Sequence, residues 1–228
     1  MSKLKLKATS DIPNPNEYIK LLEGSLSDYA FNEKRAVKNK GIWRKNIFKV
    51  SASTPLDLEI GIGNGFHFAY YANKHPSRCL VGLEIKFKPL IQSIKRALKN
   101  KVKNTRVARY NAYFLEDLFF KEEINNVIIH HPDPWLKKKQ YKHRLIQKTF
   151  LDKLFFLQKK KSLLEIKTDS LEYFCWIYKE LKKTKYTILE VSYDLHHSPW
   201  KSDNFTTHFE TIFLKKLQSI YWLKATNL

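Results

Sequence analysis

The chain has 228 residues, is 43% hydrophobic and carries a formal net charge of +20. That is long and apolar enough for one sizeable core, and the charge predicts attraction to a polyanion, nucleic acid or an anionic membrane surface. No apolar run reaches the roughly 20 residues a membrane span needs, and the start "MSKLKLKATSDIPNPN" lacks the apolar centre of an export signal; a cytoplasmic protein that crosses no membrane is expected. The two cysteines, Cys79 and Cys175, lie in apolar patterns and are expected in the core. The eight histidines, the pair His196 and His197 included, show no metal-ligand spacing.

In chain order, residues 1–50 carry the breaker cluster "IPNPN" and the basic stretch "KRAVKNKGIWRKNIFKV", read as an irregular arm ordered only against the body or a partner. The strand "PLDLEI" runs into glycines and is followed by the helical pattern "FHFAYYANKHP" and the strand "CLVGLEI". A helix then repeats Phe87, Leu90, Ile91, Ile94, Ala97 and Leu98 on one face. After the strands "TRVARYNA" and "NNVIIH", "RLIQKTFLDKLFFLQKKK" predicts a helix burying Ile146, Phe150, Leu151, Leu154, Phe155 and Leu157. The strand "SLLEIKTD" leads to a helix with Leu171, Phe174, Cys175, Tyr178 and Leu181 on its stripe, and "YTILEVSYDL" and "SIYWLKA" supply the last strands around a helical "HFETIFLKKL". Alternation at crossover spacing predicts an open, mostly parallel α/β sheet covered on both faces. Ligands of such sheets bind beyond the carboxyl ends of the strands, where Gly61 to Gly65, Glu84, Asn111, Asp133 and Asp169 fall.

"LEIGIGNG" places Gly61, Gly63 and Gly65 between strand and helix, where the backbone can pass close to a ligand. Glu84 ends the next strand, where an acid can accept both ribose hydroxyls. Phe66 occupies the position that a dinucleotide-binding turn gives to glycine, and Glu59 would repel a pyrophosphate but favour a sulfonium or ammonium group. S-adenosylmethionine therefore suits the loop better than a nicotinamide dinucleotide. Asn111 can meet an adenine edge, although a turn residue would look the same, and both glutamates could equally sit at solvated strand ends.

"HHPDPWLKKKQYKHR" supplies the other side of the crevice. Lys137, Lys138, Lys139, Lys142 and Arg144 can position a phosphate backbone without reading bases. Trp135 can stack on a base or anchor the loop. A carboxylate at Asp133 beside phosphates needs a donor, and guanine offers N1–H and its amine. Methylation at guanine N7 needs no general base and leaves the purine positively charged, which a fixed carboxylate stabilises. Asp169 and Glu210 are further acids able to reach the crevice, with Thr168 and Thr207 as hydroxyl donors.

With these residues the chain resembles the bacterial tRNA (guanine-N7-)-methyltransferases: "LEIGIGNG", "GLEI", "HPDPWLKKKQYKHRL", "KTD" and "THFE" match in order over roughly residues 56 to 224. The resemblance implies a class I methyltransferase fold of seven strands with the last antiparallel, S-adenosylmethionine as methyl donor, and guanosine 46 of tRNA as target. It implies a catalytic domain at 51–228 behind the 1–50 extension. Asp133 would be the catalytic carboxylate, Glu59, Glu84 and Asn111 with the glycines would line the cofactor pocket, and Thr168, Asp169, Thr207 and Glu210 would surround the base beside Lys137, Lys138 and Arg144. The chain departs from the family at Asn111, where aspartate is common; at His131, a frequent phenylalanine or serine; at Gln140 and Tyr141, usually Arg-His; and at Leu217, usually glycine. Methylation of another RNA or position, or a binding-only role, stays open, as do monomer and homodimer.

Overall fold

The computed structural model describes residues 5–228; the first four residues of the expected N-terminal arm lie outside the described residues. An eight-stranded sheet organises the chain, with strands β1 (Ala30–Phe31), β2 (Leu56–Ile60), β3 (Cys79–Glu84), β4 (Thr105–Arg109), β5 (Val127–His130), β6 (Ser162–Thr168), β7 (Thr187–Ser192) and β8 (Tyr221–Asn227). Their order is β1-β4-β3-β2-β5-β6-β8-β7. β8 runs antiparallel to both neighbours and the other pairs are parallel. The expected seven-stranded sheet with its last strand antiparallel is present, and β1 adds an eighth strand.

That extra strand comes from the segment read as irregular. Residues 5–50 also hold helices α1 (Glu17–Glu23) and α2 (Glu33–Val37), capped by the side chains of Asn16 and Asn32, and a π-helical turn at Trp43–Phe48. The Trp43 ring is fully buried, and its indole N–H donates to the Leu118 carbonyl at 2.9 Å. With Trp43, the buried Arg44 orders the basic stretch by donating to the Thr54 and Glu123 carbonyls at 2.6 and 2.7 Å; Lys38, Lys45 and Lys49 stay exposed.

The remaining helices are α3 (Phe66–Lys74), α4 (Phe87–Lys99), α5 (Lys148–Leu157), α6 (Leu171–Leu181) and α7 (His208–Lys215). Helices α1, α3 and α4 cover one face through Leu22, Phe68, Leu90, Ile91 and Ile94. On the other face α5 and α6 join the Trp43 turn over Leu56, Leu58, Val81, Ile129 and Ile166. The α6 stripe differs from the expected one: Tyr173, Phe174, Ile177 and Leu181 face inward, while Leu171 and Cys175 are exposed. Tyr173 fills the place because its hydroxyl can serve a buried donor, the Ile146 N–H at 3.1 Å. Cys79 is buried as expected. At the amino end of β2, the fully buried Asp57 carboxylate is matched by a two-pronged Arg78 interaction at 2.5 and 2.6 Å.

Gly65, at the cap of α3, shows why the glycine loop admits no substitute there. Its φ is +77°, and an added Cβ would lie 2.4 Å from Ser93 Cβ and 2.5 Å from Ser93 Cα on α4. Gly65→Ala is expected to lower the unfolding free energy by about 2–5 kcal/mol, combining the left-handed conformation with overpacking against backbone. Urea unfolding of that variant beside Gly61→Ala, whose Cβ meets no protein atom within 4 Å, separates the two causes: Gly61→Ala should lose only about 1–2 kcal/mol.

Candidate active site

Strand order reverses between β2 and β5, so the crevice opens where their carboxyl ends diverge. On the β2 side, Gly61, Gly63 and Gly65 all have left-handed φ. The Gly63 N–H donates to Glu84 Oε2 at 3.2 Å, and Glu84 Oε1 accepts from the Ile85 and Lys86 N–H groups at 2.8 and 2.9 Å. Glu84 is thus tied to the glycine loop and oriented by backbone. Asn111 follows β4, and its side-chain oxygen accepts from the Tyr113 N–H at 3.1 Å, capping the short turn Ala112–Asp117. With no protein atom within 4 Å of a Cβ built at Gly61 or Gly63, this edge has room for a ligand against bare backbone.

Glu59 is not a solvated strand end. It is buried, with Oε2 3.0 Å from His67 Nδ1. The His67 ring packs edge-on against His130 at 4.4 Å, and His130 Nε2 lies 2.9 Å from Glu165 Oε1. Burial, with Lys167 nearby, pushes His130 down to about 3, so its ring is neutral and donates to Glu165. Burial alone would raise the Glu165 carboxyl, but the bond from His130 brings it down to about 2.

On the β5 side, His131 and Trp135 have φ of +48° and +45°, so the loop between them turns sharply about Pro132 and Pro134. Asp133 stands exposed on that loop. Arg144 holds the loop from beneath: its Nε donates to the Pro134 carbonyl at 2.8 Å, Nη2 meets Glu172 at 2.6 Å, and its plane lies 3.7 Å from the Tyr141 ring centre. At 1% exposure, Arg144 is a brace and not a surface group for binding phosphate. Trp135 is half-buried against the His143 ring at 5.4 Å. Lys137, Lys138, Lys139 and Lys142 are exposed on the same loop and the turn Lys138–His143.

Three residues expected around the base prove to be interior. Thr168 is fully buried, and its hydroxyl accepts from the Ser170 N–H at 3.2 Å. Thr207 caps α7 by accepting the Glu210 N–H at 3.1 Å. Glu210 is fully buried. Its Oε1 lies 3.4 Å from Lys167 Nζ and 3.7 Å from His131 Nε2, while Oε2 faces His196 Nε2 at 3.2 Å and Asn204 Nδ2 at 2.9 Å. Lys167, itself buried, also donates to Asn204 Oδ1. Burial alone would raise the Glu210 carboxyl; His131, Lys167 and Asn204 instead hold it well below the usual range. Asp169 is half-buried on the crevice side, with Oδ1 3.3 Å from His131 Nδ1.

His67, His130, Glu165, Lys167, His196 and Asn204 are the polar residues that sequence reasoning did not assign to the site. Two signals were present: Lys167 stands between Ile166 and Thr168 at the buried end of its strand, and His196 stands in a histidine pair with no metal partners. Among the described residues no group of three or more His, Cys, Asp or Glu could hold a metal ion.

A family model described as "Putative methyltransferase" matches residues 53–223. A tRNA (guanine-N(7)-)-methyltransferase of Bdellovibrio bacteriovorus is 48% identical over 195 residues, covering 86% of this chain and 93% of that protein. The chain belongs to the tRNA (guanine-N7-)-methyltransferase family. A member from Brevibacillus brevis is 26% identical over 204 residues, covering 90% and 94%. Among solved structures, an antibiotic-related methyltransferase aligns with a TM-score of 0.55 at 16% identity, covering 98% of this chain and all of that one. That likeness supports the fold alone; membership rests on the sequence relatives. The family's cofactor is S-adenosylmethionine, and the open space over Gly61 and Gly63 beside the oriented Glu84 fits it.

Proposed function

We propose that this chain transfers a methyl group from S-adenosylmethionine to N7 of guanosine 46 in tRNA. The observation that carries the proposal is the 48% identity to a tRNA (guanine-N(7)-)-methyltransferase over nearly its full length. It is supported by an exposed, rigidly framed Asp133 across the crevice from the glycine loop. Residues 51–228 form the catalytic domain in this reading and 1–50 an extension of it. The absence of a helix long and apolar enough to cross a membrane among the described residues is compatible with the cytoplasmic setting of tRNA modification.

S-adenosylmethionine, when bound, supplies an electrophilic methyl group. Gly61, Gly63 and Gly65 offer backbone to it, Glu84 a carboxylate for ribose hydroxyls, Asn111 an amide for the adenine edge, and Glu59 negative charge near the sulfonium. Asp133 accepts from guanine N1–H and the exocyclic amine, orients N7, and stabilises the positive charge that the purine gains. No general base is needed, because N7 already carries a lone pair. Lys137 and Lys138 hold phosphates, and Asp169 borders the base; Arg144, Thr168, Thr207 and Glu210 act from the interior as supports.

The test is methyl transfer from labelled S-adenosylmethionine to unmodified tRNA, followed by nucleoside mapping. Label in 7-methylguanosine at position 46 is expected; label in another nucleoside or position would redirect the substrate assignment. Replacing Lys137, Lys138 and Lys139 together with alanine should weaken tRNA binding and flatten its salt dependence, by about one unit of slope for each phosphate no longer neutralised. Binding titrations between low and moderate salt check this, and an unchanged slope would move the RNA footprint elsewhere.

A further inference from the structure

We propose that His131 is a positioning residue, a cationic clamp between Asp169 and Glu210 that fixes the loop carrying Asp133. The inference rests on the role given to Asp133 above.

The geometry starts from the backbone. His131 has φ +48°, a left-handed conformation unfavourable to a residue with a side chain, so something must hold it. Its N–H donates to the Lys167 carbonyl at 2.8 Å, extending the pairing with β6 one residue beyond β5. The imidazole then reaches between two carboxylates from different elements: Nδ1 lies 3.3 Å from Asp169 beyond β6, and Nε2 lies 3.7 Å from Glu210 on α7. Phe213 of α7 covers the ring at 5.7 Å.

A neutral imidazole donates through one nitrogen only, leaving the other lone pair aimed at a carboxylate. The imidazolium offers a proton to each side. At 3.7 Å the Glu210 approach is charge attraction and not a hydrogen bond, and Nε2 is buried with no hydrogen-bond partner. The other groups on the cluster are Lys167 of β6, His196 of the turn Leu195–His197, and Asn204, all of which address Glu210. The adjacent His130 turns instead to Glu165. Burial alone would lower the His131 pKa, but the two carboxylates raise it above its ordinary value. The folded state therefore binds this proton more tightly than the unfolded chain. The clamp is complete below the ordinary imidazole range near about 6.5 and is lost as pH rises through the raised value.

Two measurements test the clamp. In NMR titration of the full chain, the His131 ring should titrate above about 6.5, and the Asp133 amide should shift with the same midpoint. A ring titrating at or below that value, or an Asp133 amide that ignores it, overturns the proposal whether or not tRNA is a substrate. In single-turnover methyl transfer, His131→Gln should lower the rate about 10- to 100-fold through loop misplacement, with S-adenosylmethionine binding unchanged. Wild type should show an alkaline loss of rate that His131→Gln lacks; identical pH profiles would also overturn the clamp. If neither protein methylates tRNA, the functional reading fails and the NMR result still decides the clamp.

Discussion

Replacing Asp133 with alanine is expected to lower the rate of methyl transfer about 100- to 1,000-fold, the range seen when one preorganised electrostatic group is removed from a reacting centre. The fold should be indifferent to the change. Asp133 is exposed, and among the described residues no hydrogen bond is formed by its carboxylate, so stability should stay within about 0.5 kcal/mol. The loop it rides on is framed by Pro132, Pro134 and the Arg144 brace, none of which depends on the carboxylate. S-adenosylmethionine binding should likewise persist, because Glu84 and the glycines lie on β3 and after β2. Single-turnover assays with labelled cofactor, beside equilibrium cofactor binding, separate the two quantities. Asp133→Asn keeps an acceptor oxygen and removes the charge, so its rate should fall between those of wild type and Asp133→Ala. Near-normal turnover by Asp133→Ala would show that the developing charge on guanine is met elsewhere.

The second large effect is on folding. Glu210→Ala removes the carboxylate that balances Lys167 in the interior, where Lys167 is only 2% exposed. Leaving one buried charge without its partner typically costs about 3–5 kcal/mol. For a chain of this size that corresponds to a fall in Tm of roughly 6–20 °C. His196 and Asn204 lose an acceptor at the same time. Adding Lys167→Met to Glu210→Ala should recover much of the loss, because the desolvation penalty disappears with the charge. Thermal unfolding of the wild type and the single and double variants completes the cycle. A single variant as stable as wild type would mean that Lys167 reaches water or sheds its proton at little cost.

The main framework was legible because it rests on patterns of local origin. Apolar periodicity marks the strands and helices, glycines mark the turn that must approach a ligand, and the two prolines mark a stiff loop. The direction in which a charged side chain points is of another kind. Arg144 ends a basic run whose lysines are solvated, yet it turns inward because Glu172, Tyr141, Tyr173 and Trp176 converge on it from the turn and from α6. Composition cannot sort one basic residue from its neighbours when the partner that decides is supplied by a later helix. Glu210 and Thr207 follow the same logic, being drawn inside by a lysine on β6 and by the start of α7. Cys175 falls one step of helical phase outside the core stripe, since Tyr173 takes the inward position a smaller residue would otherwise share. Leu217 keeps the left-handed φ of +56° that a glycine would favour after α7, and its side chain is almost wholly exposed, so the departure from the family leaves the turn intact.

The two-residue strand β1 has a consequence for the chain as a material in solution. It lies along β4, with Ala30 opposite Val107 and Phe31 opposite Ala108, and the Val107 N–H is taken by the Tyr29 carbonyl at 2.9 Å. Without it, β4 would be the raw margin of the sheet, offering unpaired N–H and C=O groups to any other extended chain. A protein begun at residue 51 would bare that margin and the apolar patch under Trp43, and would also lose Leu6, Glu33 and Val37 from the wall of the pocket beside Asn111. The N-terminal extension therefore serves as a hem: it keeps a sticky edge from recruiting foreign strands.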